Sequence, residues 1–221
     1  MKIVGVIRSI GERTENFSKF LLEKQVDEIK TLKNVKPLKK SLIEYLKIGL
    51  DYDFLVINDA DVFIKPNCVN IMLEKLGNYP LITAATISKF FGKRTGGIRI
   101  FNSKYCQEMV DFLENSNSAN RPEASVNRTF GGHVIKDVTS LHEYEQYYKD
   151  IYLRFIKHEK KSKPYLKHIN NKQNDKDMDL VVAYRGCYDK VKDFNKSFPT
   201  LIEKSPIEEK DFKTLVEKYN L

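Results

Sequence analysis

Short runs of apolar and β-branched residues alternate along the chain with longer segments in which apolar residues recur every three or four positions. The short runs predict buried strands at residues 3–7, 54–57, 81–87, 97–101 and 134–138. The longer segments predict helices at residues 17–32, 38–50, 69–76, 103–113 and 143–161, with two more after residue 178. Because strands and helices alternate, we predict an α/β fold, with a mostly parallel sheet that is flanked by helices.

The alternation stops near residue 142, which indicates two regions. Residues 1–142 are predicted to form the α/β core, and residues 143–221 a helical extension packed on or beside it. Residues 115–128 are polar and predict a loop, whereas residues 157–176 are rich in Lys and His and predict a solvated connection. The tyrosine stripe of predicted helix 143–161 is interpreted as core packing, with contact to an anionic membrane as the alternative.

Composition narrows the class of protein further. With 221 residues, 41% of them hydrophobic, the chain can bury a sizeable core. No segment reaches the roughly 18 to 20 uncharged apolar residues of a membrane span. The cysteines, Cys68, Cys106 and Cys187, offer no close pair for a disulfide or zinc site, so a cytoplasmic protein is expected. The net charge of +8 is compatible with nucleic acid, an anionic membrane surface or a phosphate-bearing small molecule.

The most informative stretch is FLVINDADVFIKP, in which Asp59 and Asp61 directly follow a predicted buried strand. Asp-x-Asp triplets also occur at residues 51–53 and within 175–179, but neither follows such a strand. Open α/β sheets bind ligands at the carboxyl ends of their strands. Two carboxylates there can hold Mg²⁺ or Mn²⁺ and leave coordination positions for a diphosphate. We therefore interpret the pair as metal ligands, with exposed acids in a turn as the alternative.

The segment YDFLVINDADVFIKPN resembles the strand and Asp-x-Asp motif of GT-A-fold nucleotide-sugar glycosyltransferases, especially family-2-like enzymes. The segment before it, KPLKKSLIEYLKIGLDYD, matches that family's preceding helix in length and placement. The resemblance implies a GT-A-like core and a UDP- or GDP-sugar donor, whose diphosphate lies on Mn²⁺ or Mg²⁺ at Asp59 and Asp61. It also implies a saccharide or lipid-linked acceptor, polysaccharide or glycolipid synthesis, and a place at the inner face of a membrane. The opening IVGVIRSIGERTENF departs from the family's usual nucleotide-gripping turn.

The same resemblance implies roles for residues outside the motif. His142 follows the last predicted core strand, where the family supplies a further metal ligand, and His133 is its rival. Glu123 matches, by order along the chain, the carboxylate that takes the proton of the acceptor hydroxyl, with Glu143 as second choice.

Basic residues and glycines near the same end of the sheet complete the predicted donor site. The cations predicted to stabilise the diphosphate are Arg8, Arg13, Lys39 and Lys40. Gly96 and Gly97 stand directly before a predicted strand and match a strand edge beneath the donor sugar; a plain turn is the alternative.

Two other classes of function compete with a glycosyltransferase. A haloacid-dehalogenase-type phosphatase would use Asp59 as its nucleophile, but Phe63 stands where that family has Thr or Val, and the later acidic pair it needs is missing. A nucleic-acid-binding protein would explain the positive charge, but not two acids at a ligand-binding edge, which repel phosphate. No nucleic-acid-binding motif is found, so no nucleic-acid partner is expected.

Overall fold

The computed structural model describes residues 1–116, 121–159, 177–188 and 192–221. The strands are β1 (Ile3–Ser9), β2 (Glu28–Lys33), β3 (Phe54–Asp59), β4 (Val62–Ile64), β5 (Leu81–Ser88), β6 (Gly92–Asn102) and β7 (His133–His142). The helices are α1 (Glu15–Glu23), α2 (Leu38–Gly49), α3 (Cys68–Leu76), α4 (Cys106–Asn115), α5 (Pro122–Phe130), α6 (Tyr148–Lys157), α7 (Met178–Tyr188), α8 (Phe194–Ser197) and α9 (Glu209–Tyr219). Residues 160–176 of the predicted connection lie outside the described residues.

The strands form one sheet in the order β2-β1-β3-β6-β5-β7-β4. The predicted α/β class is confirmed, and each predicted strand falls within an observed one. The sheet is mixed rather than mostly parallel. Strands β1, β2 and β3 are parallel to each other, and so are β5 and β7, but β6 runs antiparallel to both β3 and β5, and β4 runs antiparallel to β7. A short connection between β5 and β6 makes them a hairpin, which reverses the direction of β6.

Strand β1 shows why helices cover both faces of the sheet. Because side chains alternate along a strand, Ile3 and Ile7 pack against α1, α3 and α9 on one face. Val4 and Val6 pack against α2, α4 and α5 on the other face. Such a strand is buried on both sides, which is why its sequence is a continuous apolar run.

Three predicted elements have different limits in the structure. The predicted helix 17–32 is wrong in its second half, because α1 ends at Glu23 and Glu28–Lys33 is the edge strand β2. The predicted loop 115–128 is wrong from Pro122 onward, because α5 begins there and buries only Pro122 and Val126, too little to show a periodic pattern. Helix α6 begins at Tyr148 and not at residue 143.

The helices after residue 142 pack in two places. Helices α6, α7 and α8 form a third hydrophobic cluster with Phe90, which includes Tyr152 and Phe155 of the tyrosine-rich helix. The stripe on α6 is therefore core packing. Helix α9 instead joins the main core, where Phe212 lies 5.4 Å from Phe17 of α1 between ring centroids. No helix in the described ranges is long and apolar enough to cross a membrane.

Candidate functional site

Residues 59–61 form a tight turn between β3 and β4, and side chains of the first helix hold its shape. The Thr14 hydroxyl donates to the Ala60 carbonyl at 2.7 Å, and the Ser18 hydroxyl lies 2.9 Å from the same oxygen and 2.7 Å from the Val62 carbonyl. Both hydroxyl groups are buried, so they satisfy carbonyl groups that would otherwise lack partners. The two carboxylates of the turn are thereby fixed at the carboxyl end of β3.

Asp59 belongs to a chain of alternating charges that joins four elements, β3, β1, α5 and β6. It pairs in register with Arg8 of the parallel strand β1, and Arg8 Nη2 lies 2.6 Å from Asp59 Oδ1. Arg8 Nη1 lies 3.0 Å from Glu123 Oε1 of α5, and Arg99 Nη1 of β6 lies 3.1 Å from that same oxygen. Glu123, the predicted proton acceptor, thus orients two arginines.

Asp61 is more deeply buried, and one of its oxygens has three partners, from the end of β7, the segment after it and α6. Its Oδ2 atom accepts from Gln146 Nε2 at 2.6 Å and lies 3.3 Å from both His142 Nε2 and Arg154 Nη2. Arg154 continues to Glu143, whose Oε1 lies 2.7 Å from Arg154 Nη1. Glu143, the second predicted proton acceptor, is buried beneath Arg154.

The two aspartates have pKa shifts of opposite direction. Burial raises the pKa of Asp59, and the nearby Arg8 offsets this only in part. Burial acts on Asp61 too, but the charges and hydrogen bonds of His142 and Arg154 outweigh it, so its pKa is lowered. Burial alone would lower the pKa of His142, yet Asp61 raises it overall. The Asp61–His142 pair therefore favours an ionised carboxylate beside a protonated imidazole.

The segment between β7 and α6, residues 143–147, supplies Gln146 and Glu143 and has an unusual backbone. Glu143 and Glu145 both have left-handed φ angles, +68° and +54°, which cost energy for residues other than glycine. Glu145 is held by four contacts: Arg13 Nη1 and Lys218 Nζ lie 3.1 Å and 2.7 Å from its carboxylate, the Tyr219 hydroxyl donates at 2.6 Å, and its carbonyl accepts from Arg13. Helix α9 thus helps to hold the segment in place.

Both aspartates line an open cleft of about 380 Å³ above the carboxyl ends of β1 and β3. On the side of β2 and the start of α2, the cleft is lined by the apolar residues Leu32, Val35 and Leu38, with Lys36 among them. The other end is charged, and the residues that line it include Arg8, Asp59, Asp61, His142 and Arg154. A ligand that fills this cleft would need an apolar or aromatic group at one end and a charged group at the other.

The structure separates the predicted site residues. Arg8, Asp59, Asp61 and His142 meet in the cleft. Lys39 donates to the Ser116 carbonyl at 2.7 Å and Lys40 is exposed on α2; neither lines this cleft.

Arg13 and the glycine pair lie beside the charged end. Arg13 lines a neighbouring cavity and binds Glu145. Gly96 and Gly97 lie inside β6; because Asn58 pairs with Ile98 in antiparallel register, Gly97 reaches the level of Asp59. Gly97 has a φ of +95°, and a Cβ atom there would lie 3.0 Å from Val62 Cγ2, so a side chain would require Val62 to shift.

Two carboxylate oxygens of the Asp59–Asp61 turn are not engaged by the described part of the protein. Asp59 Oδ2 and Asp61 Oδ1 have no hydrogen bond or ion pair within the described residues, and carboxylate oxygens are the ligands that Mg²⁺ and Mn²⁺ prefer. No group of three or more His, Cys, Asp or Glu side chains in the described ranges is arranged around a metal position. The imidazole Nε2 of His142 is directed at Asp61 instead.

Several residues of the cleft were not predicted. The sequence predicts a helix where strand β2 lies. It therefore does not indicate that Leu32 and Val35 reach the carboxyl-end edge of the sheet and line the cleft. Arg154 falls in a helix that is predicted to serve core packing. The sequence of that helix does not indicate which acidic residues an arginine on it contacts. Glu12 lines the cleft as well, and its place in the loop after β1 was the available signal.

Comparison with known proteins finds no matching family model and no matching curated protein. Among solved structures, A197 from STIV is similar at 16% identity and TM-score 0.49, over 66% of this chain and 87% of that one. The 4-diphosphocytidyl-2C-methyl-D-erythritol synthase of Anaerococcus prevotii is 13% identical at TM-score 0.48, over 65% and 90%. A glycosyltransferase that glycosylates the major capsid of PBCV-1 is 11% identical at TM-score 0.40, over 66% and 94%. Such low scores carry no functional argument, so function must be argued from the cleft.

Proposed function

We propose that the cleft binds a nucleoside diphosphate sugar and that the protein transfers the sugar to a saccharide or lipid-linked acceptor. The observation that carries this proposal is the division of the cleft into an apolar end and a charged end. A base and ribose fit against Leu32, Val35 and Leu38, and a diphosphate fits beside Arg8, His142 and Arg154. Small-molecule sites typically combine an apolar wall with a few convergent polar groups in this way.

The charged end suits the departure of a nucleoside diphosphate. When the bond between the sugar and the diphosphate breaks, negative charge develops on the leaving oxygen, and fixed cations stabilise it. Arg8 is held by Asp59 and Glu123, and Arg154 by Asp61 and Glu143, so each guanidinium is oriented before the substrate binds. Preorientation removes the cost of arranging these groups during the reaction.

A divalent cation is part of the proposal. Mn²⁺ or Mg²⁺ would be held by Asp59 and Asp61 through their free carboxylate oxygens. When bound, it would neutralise part of the charge of the diphosphate. His142 would contribute as a protonated neighbour of Asp61, and as a metal ligand only after that contact is released.

The test is calorimetric titration of the wild type with UDP, GDP and CDP, each with and without Mn²⁺. We expect one nucleotide to bind, more tightly with the metal. Absence of binding by every nucleotide, with and without metal, would overturn the proposal, and assays for phosphatase activity with Asp59→Asn would then follow.

The variant Asp61→Asn separates the two roles of the aspartate. If Asp61 binds the metal, the substitution removes the enhancement by Mn²⁺. If it serves only to orient cations, the nucleotide binds at least as tightly without metal, because a negative charge near the phosphates has been removed. Asp51→Asn is the matched control, since Asp51 is exposed just before the same strand.

A further inference from the structure

A second cleft of about 420 Å³ adjoins the first one on the side of α6. The two clefts share three lining residues, Ile10, Glu12 and Arg154, which form the boundary between them. The remaining walls of the second cleft come from the loop after β1 and from residues 146–153. A molecule in the second cleft would therefore lie next to the charged end of the first.

The chemistry of the second cleft suits a polyhydroxylated ring. Tyr147 and Leu153 provide aromatic and apolar surface, and Gln146 and Asp150 provide polar groups beside it. Sugars present apolar faces to aromatic rings and hydroxyl groups to carboxylates and amides. Both arginines of this cleft are already paired with carboxylates, Arg13 with Glu145 and Arg154 with Asp61 and Glu143, so a second phosphate is not what this cleft favours.

Glu12 and Asp150 differ from the other carboxylates around the two clefts. Asp59, Asp61, Glu123, Glu143 and Glu145 all have a guanidinium within ion-pair distance. Neither Glu12 nor Asp150 has an ion pair among the described residues. Glu12 Oε2 accepts from the Ile10 amide at 2.7 Å and lies 2.9 Å from the Ser9 hydroxyl, which also lies 2.6 Å from Glu15 Oε2; the Ile10 contact fixes the Glu12 carboxylate at the boundary of the two clefts.

We propose that the second cleft binds a saccharide acceptor and that Glu12 is the catalytic residue that takes the proton of its attacking hydroxyl; this inference rests on the proposed donor site in the first cleft. The hydroxyl oxygen forms a bond to the anomeric carbon of the donor sugar. The bond from that carbon to the diphosphate oxygen breaks, and its electron pair leaves with the nucleoside diphosphate. The hydroxyl proton passes to the Glu12 carboxylate.

The electrostatic environment supports this role. Burial raises the pKa of Glu12, and the negative charge of Asp61 raises it further. Hydrogen bonds to the Glu12 carboxylate from backbone amides and from the Ser9 hydroxyl oppose this rise. A carboxylate with a raised pKa is a stronger base while it remains ionised at neutral pH. A direct attack assisted by Glu12 inverts the configuration at the anomeric carbon. The proposed role of Glu12 therefore predicts an inverting transfer.

The first experiment tests the second cleft without a donor. Saturation-transfer NMR with methyl glycosides of glucose, galactose, mannose and N-acetylglucosamine should show binding to the wild type and loss of it in Leu153→Trp, which fills the cleft. Leu50→Trp is the matched control, since Leu153 and Leu50 are exposed to 46% and 42%. If no glycoside binds the wild type, alone or with nucleotide present, the acceptor cleft is overturned. Glycoside binding without any nucleotide binding would instead refute only the proposed donor site.

The second experiment tests Glu12 in the transfer reaction with UDP- or GDP-sugars and the glycoside that binds. We expect Glu12→Gln to lower kcat by about 10²- to 10⁴-fold with little change in the KM of the donor. Glu23→Gln, an exposed position on α1, is the control. Unchanged kcat in Glu12→Gln, or a product that retains the donor's anomeric configuration, would show that Glu12 is not the base.

Discussion

Asp59 and Asp61 lie one residue apart in the same turn, but the protein surrounds them differently. Asp59 has one partner, Arg8 of the adjacent strand, and burial raises its pKa. Asp61 is contacted by His142, Gln146 and Arg154, and its pKa is lowered. The first environment is built by neighbouring strands and α5, the second by the end of β7, the segment that follows it and α6.

The difference shows that one motif can connect two networks that depend on distant parts of the chain. Substitutions on the Asp59 side leave Arg8 with Glu123 as a remaining partner. Substitutions on the Asp61 side disturb a buried group of charges and a strained backbone. The two sides should therefore differ in their contribution to stability.

The largest effect is expected for Asp61→Ala, which leaves His142 without its counter-charge and the buried Gln146 amide without its acceptor, although Arg154 keeps Glu143. We expect the free energy of unfolding to fall by about 3 kcal/mol, because an unpaired charge and an unsatisfied amide are costly when buried. Asp59→Ala should cost about 1 kcal/mol, since Asp59 is less buried than Asp61 and its described partner Arg8 keeps Glu123. Urea unfolding measures both, with Asp51→Ala as an exposed control. If the two variants lose the same free energy of unfolding, the surroundings of Asp59 and Asp61 do not differ in their contribution to stability.

The next effect concerns Glu145, through which Lys218 and Tyr219 of helix α9 support the segment beside Asp61. Burial alone would raise its pKa, but Lys218 and Tyr219 lower it to about 2, below the ordinary value of 4.5. A depressed carboxylate pKa stabilises the fold above pH 4.5, and the contribution is lost as the pH falls towards 2. Glu145→Gln should cost about 2 kcal/mol at pH 7.

Urea unfolding of the wild type and Glu145→Gln across this pH range measures that contribution. The difference between the two proteins should narrow as the pH falls from 4.5 towards 2. A difference that stays constant with pH would mean that the carboxylate is not stabilised in the folded state.

A smaller effect is expected from the glycines of β6, which lie beside the turn. A Cβ atom at Gly97 would approach Val62 Cγ2 to 3.0 Å, whereas at Gly96 the nearest atom is 4.0 Å away; both have positive φ. We expect Gly97→Ala to cost about 2 kcal/mol and Gly96→Ala about 1 kcal/mol. Thermal unfolding compares the pair. A larger loss in Gly96→Ala would show that backbone strain alone, and not contact with Val62, decides the outcome.

The smallest effects are expected at Lys39 and Lys40, which lie outside the cleft. Their replacement by Ala should change the dissociation constant of the bound nucleotide by less than about 2-fold at 0.15 M salt, since neither side chain lines the cleft and salt screens charges that face solvent. Lys36→Ala is the positive control, because Lys36 lines the cleft, and it should weaken binding. If Lys40→Ala weakens binding as much as Lys36→Ala, the nucleotide lies along α2 and not in the cleft.

Much of the core could be predicted from the sequence because its strands are buried on both faces and read as continuous apolar runs. Strand β2 was missed because it is an edge strand with partly exposed side chains. Helix α5 was missed because it buries only one side of a polar segment. In both cases few residues are buried, so the periodic signal on which the predictions depend is weak.

The sequence by itself determined the α/β core, the position of the Asp-x-Asp turn at the end of a buried strand, and the placement of Arg8 near the same end of the sheet. These follow from local hydrophobic periodicity and from the alignment of strand ends at one edge of a sheet. Only the tertiary structure decided that Arg154, Gln146 and Glu12 join the site and that Glu123 orients arginines. Those contacts join residues far apart in sequence, and their side chains meet only after the helices pack on the sheet.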